Sequence, residues 1–289
     1  MDVSTADLAK DVMPLYTMTN AKQIAEIATG SDADIGGLSR CHIAHDSDTT
    51  PDGKSVGYGR FYGTISAQIP RKSALERSGY AAFRNKSRPK LFGTEVWDTL
   101  YYPYIALRVR NKTPMPEQAH SSLRSALHAD DQAGPTERAI AALGINVPGQ
   151  HKYNNHGPLF FVNIKTDGPV TTDLYQHRLF LDNDTSWRTI TLPLDAFVLT
   201  NTGVVADQQI SMMRERILSV GISVLLTPPQ LVGDPEELDG EDDDEISALR
   251  HDDPARGSKR DASFTFDLDV QGFWVVESPE KVHEISMQE

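Results

Sequence analysis

Cysteine, histidine and aspartate are where metal, nucleophilic or acid–base chemistry would start, so their spacing is read first. Cys41-His42, with His45 three residues on, has the look of a metal-binding spacing. Positions three apart on a strand lie on opposite faces, so His42 and His45 could share an ion only through a distortion. His151 and His156 lie in a polar stretch with no cysteine or acidic pair at zinc-site spacing. Asp32 and Asp34 stand beside paired glycines and could give oxygens to a calcium ion. Capping a turn is the preferred reading, because short acidic side chains beside glycine do this routinely. Gly57, Gly59 and Gly63 resemble a phosphate-cradling loop, but no helix start follows. Glycines in a strand also mark places where another backbone comes close. There is no Gly-x-Ser-x-Gly elbow, and Cys41 has no recognisable base with an orienting partner. Carboxylates for glycoside hydrolysis are paired by separation in space, and the sequence singles out no pair. The expectation is no catalytic residue, no metal site and no cofactor.

What remains are residues suited to binding. In Tyr104 to Arg110, Ile105, Leu107 and Val109 alternate with Ala106, Arg108 and Arg110, the period-two pattern of a half-buried strand. In Leu159 to Lys165, Phe160, Val162 and Ile164 point one way, Asn163 and Lys165 the other. If these strands pair in one sheet, Arg108, Arg110, Asn163 and Lys165 line its outer face as a partner-binding surface. Arg108, Arg110 and Lys165 would then form a local cationic patch, or a solvated face with ion pairs to Asp267 or Asp269. Trp187, which shares parity with Thr189 and Thr191, is counted with these four as a candidate partner-binding residue. It is either a stacking platform for a sugar or a half-buried residue at the sandwich rim, and the rim is preferred because amphipathic Trp commonly sits so.

The elements that position these residues are short strands separated by turns. They fall at Val12 to Tyr16, Arg40 to Ala44, Gly57 to Ile69, Ser78 to Arg84, Tyr104 to Arg110 and Phe160 to Lys165. Others follow at Tyr175 to Leu181, Trp187 to Leu192, Leu218 to Leu226, Phe264 to Val270 and Gly272 to Val276. Helical spacing is confined to Ala21 to Ile27, Met212 to Ile217 and patterns near Leu123 and Ala139. Without a strand–helix rhythm, the pattern indicates an all-β, antiparallel two-sheet β-sandwich of jelly-roll type. A segment 1–14 precedes one domain over 15–276, and a tail 277–289 follows it. Insertions are expected at 112–157, with helical patterns, and at 228–260. The second holds nine acidic and no basic residues between Asp234 and Glu245, a composition expected to form a solvated, disordered loop.

Composition bounds the class. The chain has 289 residues, a formal charge of −13 and one cysteine, Cys41. The charge argues against a general nucleic-acid binder, and a lone cysteine excludes an intrachain disulfide. No apolar run approaches the ~20 residues of a membrane-spanning helix. The first residues read as neither a signal nor a transit peptide, so any targeting segment is expected to be absent from this chain.

Several segments together resemble the complex I intermediate-associated protein 30 family. Ser31, Asp32, Ile35, Gly36, Gly37 and Ser39 resemble its "sD..iGG.S" opening. Phe61 to Ser66, Arg77 to Ala81 and Leu107 to Arg110 resemble further strands of the family. So do Phe161 to Lys165, Trp187 to Phe197 and Val220 to Ile222. The likeness runs in order from about Leu15 to Val276. It departs at Asn111-Lys112-Thr113, where the family has Gly-Asp-Gly, and at the acidic insertion. The resemblance implies a galactose-binding-domain-like sandwich and a non-catalytic, chaperone-like role in mitochondrial complex I assembly. It implies as partners a membrane-arm assembly intermediate and other assembly factors, with no nucleic acid. The place implied is the mitochondrial matrix, in peripheral contact with inner-membrane lipid. The alternative on the same fold is a carbohydrate- or small-ligand-binding module.

Overall fold

The computed structural model of the chain describes residues 11–70, 75, 78–114, 143, 157–226, 263–283 and 285. Its strands are β1 (Val12–Thr17), β2 (Ile27–Ser31), β3 (Arg40–Thr49), β4 (Ser55–Ser66), β5 (Tyr80–Asn85), β6 (Tyr104–Asn111) and β7 (Leu159–Thr166). There follow β8 (Asp173–Leu179), β9 (Arg188–Pro193), β10 (Val198–Asn201), β11 (Val204–Val205), β12 (Ile217–Leu225) and β13 (Ser263–Val276). A short α-helix, α1 (Ala21–Ala25), opens on an Asn20 side chain that accepts from the Gln23 amide. The first sheet runs β3-β4-β13-β6-β9, with β1 also on β13, and the second runs β11-β10-β8-β7-β12-β5-β2. Every pairing is antiparallel.

The core lies between the sheets and follows from period-two alternation. Phe61, Leu107, Val109, Phe266 and Leu268 come from the first sheet, and Phe83, Phe160, Val162, Ile164, Val220 and Ile222 from the second. The Phe61 and Phe83 rings cross the gap edge to face, with centroids 4.9 Å apart. Such a pair adds about 1 kcal/mol to the burial of both rings.

One expectation fails here. β6 and β7 do not pair: β6 lies between β13 and β9 in the first sheet, β7 between β8 and β12 in the second. Alternation fixes which side of a strand is apolar but says nothing of its neighbour, because pairing is settled by contacts distant in sequence. Gly272 to Val276 continues Phe264 to Val270 as one strand, β13, with a register shift between Val270 and Gly272. The bulge at Gln271 lets Val270 and Phe273 both reach the core. β4 flanks β13 up to Val270, and β1 takes over that flank from Gly272. β1 crosses the expected boundary at residue 14, and Ile285 of the expected tail is buried with Val12, Ala106, Trp274 and Val276. The expectations for Leu123, Ala139, Arg77 and the acidic stretch Asp234 to Glu245 fall outside the described residues.

The Asp32 segment is a turn lock. Its carboxylate is buried and accepts from the Ser39 amide (2.7 Å), the Ser39 hydroxyl (2.7 Å), the Gly79 amide (2.6 Å) and the Tyr80 amide (3.2 Å). Asp34 caps the Ser31 amide at 3.0 Å. A Cβ at Gly37 would sit 2.3 Å from Asp32 Oδ1, so only glycine fits. The strand reading of the Gly57 to Gly63 run also holds, since a Cβ at Gly63 would lie 2.1 Å from the Arg40 carbonyl oxygen.

Candidate functional site

Antiparallel register brings together, on the outer face of the first sheet, side chains from β3, β4, β13 and β6 and from the residue before β9. Across this face Tyr58 stands opposite Asp46, Arg60 opposite Asp269, Tyr62 opposite Asp267, and Asp269 opposite Arg110. At its centre the Arg110 Nη1 pairs with Asp48 Oδ2 at 2.7 Å, while Nε donates to Asp269 Oδ2 at 2.7 Å. Lys112 Nζ reaches the same Asp269 oxygen at 2.7 Å. Asp269 is fully buried, so these two cations are what make its charge tolerable there. Nearer the free side of the sheet, Arg60 Nη2 meets Asp267 at 2.7 Å, and its Nε donates to the same carboxylate at 3.0 Å.

Aromatic rings are built into this network. Trp187 Nε1 donates to Asp48 Oδ2 at 3.0 Å, and the Tyr58 hydroxyl donates to Asp48 Oδ1 at 3.3 Å. The Tyr58 and Trp187 rings meet edge to face at 5.3 Å. The Arg110 guanidinium carbon lies 4.7 Å from the Trp187 ring centre and 5.0 Å from that of Tyr58. Arg108 approaches Trp187 at 6.0 Å. These are cation–π distances. The Tyr58 phenol is pushed up to about 12, by burial first and then by Asp269 and Asp48. At Asp48 burial acts upward, but the Trp187, Arg110 and Tyr58 donors outweigh it and hold the carboxyl below its ordinary value. A shallow groove beside the cluster is lined by Arg40, His42, Arg60, Tyr62, Lys112 and Asp267 among others.

Of the residues singled out in the sequence, Arg108, Arg110 and Trp187 come together here. Asn163 and Lys165 are on the outer face of the opposite sheet. Asn163 is buried and accepts from Gln176 Nε2 at 2.9 Å, with Thr200 donating in turn to Gln176 at 2.8 Å. Lys165 Nζ bonds the Thr171 carbonyl and, at 3.1 Å, that of Asp173. A cationic patch of Arg108, Arg110 and Lys165 therefore does not form: the three lie on two faces, and Arg110 is matched by Asp48 and Asp269. The pairing expected with Asp269 is present. His42 and His45 diverge as alternation requires, His42 towards the Tyr62 ring at 5.7 Å and His45 to the Thr19 carbonyl at 3.2 Å. Among the described residues no three His, Cys, Asp or Glu side chains are grouped to hold a metal ion.

Sequence reading missed Asp48, Tyr58 and Lys112. Asp48 fell in what read as a loop after Ala44, whereas β3 runs on to Thr49. Extending the parity of Arg40 and His42 through Asp46 would have placed it on the outer face.

Comparison with known proteins adds to this geometry. The model of the family described as complex I intermediate-associated protein 30 matches residues 16–113 and 140–247. The "Complex I intermediate-associated protein 30, mitochondrial" of Neurospora crassa is 30% identical over 226 residues, which are 72% of this chain and 66% of that protein. The chain thus matches just under two thirds of that relative's length. Among solved structures, a family 11 carbohydrate-binding module from Clostridium thermocellum, in complex with a mixed-linked tetrasaccharide, is similar at 9% identity. Its TM-score is 0.42, with 92% of this chain and 96% of that one covered. An exo-beta-agarase is similar at 8% identity and TM-score 0.42, with 93% and 26% covered.

Proposed function

Because the chain belongs to the complex I intermediate-associated protein 30 family, we propose that it is a non-catalytic, mitochondrial assembly factor for complex I. Its partner is a membrane-arm intermediate, which it binds on the matrix side together with other assembly factors. The observation that carries the reading is the setting of Trp187, which stands half-exposed on the outer face of the first sheet. Asp48 fixes its indole N–H, Tyr58 meets its edge, and Arg108 and Arg110 approach its ring. Trp, Tyr and Arg dominate the energetics of protein contacts, above all where they are held in place before binding. Since Arg110 already has its carboxylates, a partner meets a rigid aromatic anchor rather than a loose cationic field. Asn163 and Lys165, on the far face, are outside this contact. The chain, expressed in mitochondria and affinity-purified, is expected to bring down membrane-arm subunits. Trp187→Ala, if folded, is expected to recover them at least about tenfold less. Full recovery by the folded variant removes this face from the contact, and a parent that recovers no complex I subunit overturns the function.

A second reading, a carbohydrate- or small-ligand module, is favoured by one specific observation. The groove lined by Lys112 and Arg40 combines the Tyr62 ring with Arg60, Asp267 and His42, polar groups beside an aromatic face. Calorimetry against a panel of neutral oligosaccharides decides it. Saturable heat that Tyr62→Ala abolishes would put this reading in place of the first.

A further inference from the structure

The connection from β5 to β6 carries a finger whose construction the contact face does not use. Pro89 and Thr94 form an isolated antiparallel bridge, and the Lys90 amide donates to the Gly93 carbonyl at 2.9 Å. Leu91 and Phe92 are left at the tip. They are the most exposed of the large apolar residues described, at 91% and 90%. Gly93 closes the turn at φ +87°, a conformation that favours glycine. The base is rigid. The Glu95 amide donates to the Arg88 carbonyl at 2.8 Å, and the Arg88 guanidinium lies 3.4 Å from the Trp97 ring centre. Trp97 is pinned to Ile217, at the start of β12, by backbone hydrogen bonds of 2.9 and 3.1 Å. Two large apolar side chains are thus held out into water by a braced turn.

Where the finger stands matters as much as its tip. Thr99 donates to the Arg214 carbonyl at 2.9 Å and Asp167 to the Arg216 carbonyl at 2.9 Å. The 86–103, 167–172 and 206–216 loops therefore meet at one end of the sandwich. Leu100, Tyr101, Val170 and Ile210 are exposed on the same loops. Charge is graded behind the tip. From Arg84 to Glu95 there are four cations and one acid, Glu95, which pairs with Arg88 at 3.5 Å and leaves Lys86 and Lys90 without an acidic neighbour in the finger, on a chain of net charge −13. Lys90 adjoins the tip, and Lys86 stands about 13 Å further back at the rise of an extended chain. Apolar tips that enter ~5–10 Å into a bilayer, with cations behind them at headgroup depth, suit an anionic lipid surface.

We infer that the Pro89 to Thr94 finger inserts into an anionic phospholipid bilayer and docks the sandwich end-on. This rests on the proposed function only in making the bilayer the one that holds the membrane arm. The test is co-sedimentation of the full chain with phosphatidylcholine vesicles, with and without one quarter cardiolipin. Binding is expected to the anionic vesicles alone. Leu91→Asp with Phe92→Asp should lower it at least tenfold, with an unchanged circular dichroism spectrum. Lys90→Gln should lower it about fivefold at low salt, the equivalent of one cation near the surface. Ile35→Asp, exposed at the opposite end, should bind like the parent. The inference falls if the parent ignores anionic vesicles or the double variant binds as the parent does. It also falls if the double variant keeps its vesicle binding but loses membrane-arm subunits in detergent, since the finger would then be a protein contact. A parent that ignores anionic vesicles yet still co-purifies complex I subunits sinks the finger and leaves the function. Vesicle binding without any co-purification does the reverse.

Discussion

Asp269 shows how single residues on this fold are committed. Its side chain is fully buried, yet Arg110 and Lys112 both reach its Oδ2 at 2.7 Å. Removing the charge strands those cations in a partly buried position, whereas the exposed end of the network has solvent as an alternative. Asp269→Asn is therefore expected to cost about 3–5 kcal/mol in chemical denaturation, the range for breaking a buried pair. Asp48→Asn, whose carboxylate is more exposed, should cost less than half of that. Equal losses at the two sites would mean that burial is not what sets the cost. Asp32 stands under similar constraint for a different reason, because three of its four donors are backbone amides with nowhere else to go. Asp32→Ala should cost about 3 kcal/mol or more, as several buried donors lose a charged acceptor together, and urea denaturation measures it.

At the scale of elements, β13 organises the first sheet: β4 and β1 share one of its edges and β6 takes the other. On the outer side of its second half, Trp274 and Val276 pack with Val12, Ala106 and Ile285. Ile285 and Val282 thus cover this part of the sheet. Ile285→Ala is expected to cost about 2 kcal/mol, the low end for a buried aliphatic side chain because it packs in a small cluster outside the main core. A melting temperature equal to the parent's would show that Ile285 contributes no packing. Strand identity was legible where alternation was long and unbroken, as in Tyr104 to Arg110. Gln271 made β13 read as two strands, because one extra residue resets the phase of every side chain beyond it. The β10–β11 hairpin went unread since its strands are too short for a period to register. Its only cue was the turn at Thr202-Gly203, where both residues take positive φ.

Across the whole molecule the two outer faces differ in kind. The first is charged and aromatic; the second holds a neutral network of Asn163, Gln176 and Thr200, with Leu143 buried nearby among Phe161, Val198 and Val205. Parity told which residues turn outward, and it was right for Arg108, Arg110, Asn163 and Lys165. It could not tell that two of them face away from the other two, because sheet membership depends on partners more than a hundred residues distant, such as β13 for β6.

The space between the sheets holds one group that makes the closure of the sandwich sensitive to pH. His177 pairs across β8 and β7 with Val162, whose side chain is in the core, so the imidazole also points inward, and its ring lies 5.4 Å from Phe197. Burial holds it below the usual histidine range, against a smaller upward pull from the Arg178 carbonyl, 2.8 Å from Nδ1. In the unfolded chain the same ring takes up a proton near pH ~6.5. Below that value the unfolded state binds more protons than the folded one, so stability falls with pH. The contribution is complete above pH ~6.5 and is lost as the pH drops towards the lower folded value. The melting temperature should therefore decline between about pH 7.5 and 5.5. His177→Gln keeps a polar group at the site but cannot titrate there. It should be less stable than the parent at the upper pH and lose less over the interval. Parallel curves for parent and variant would show that protonation of His177 is not what opens the sandwich.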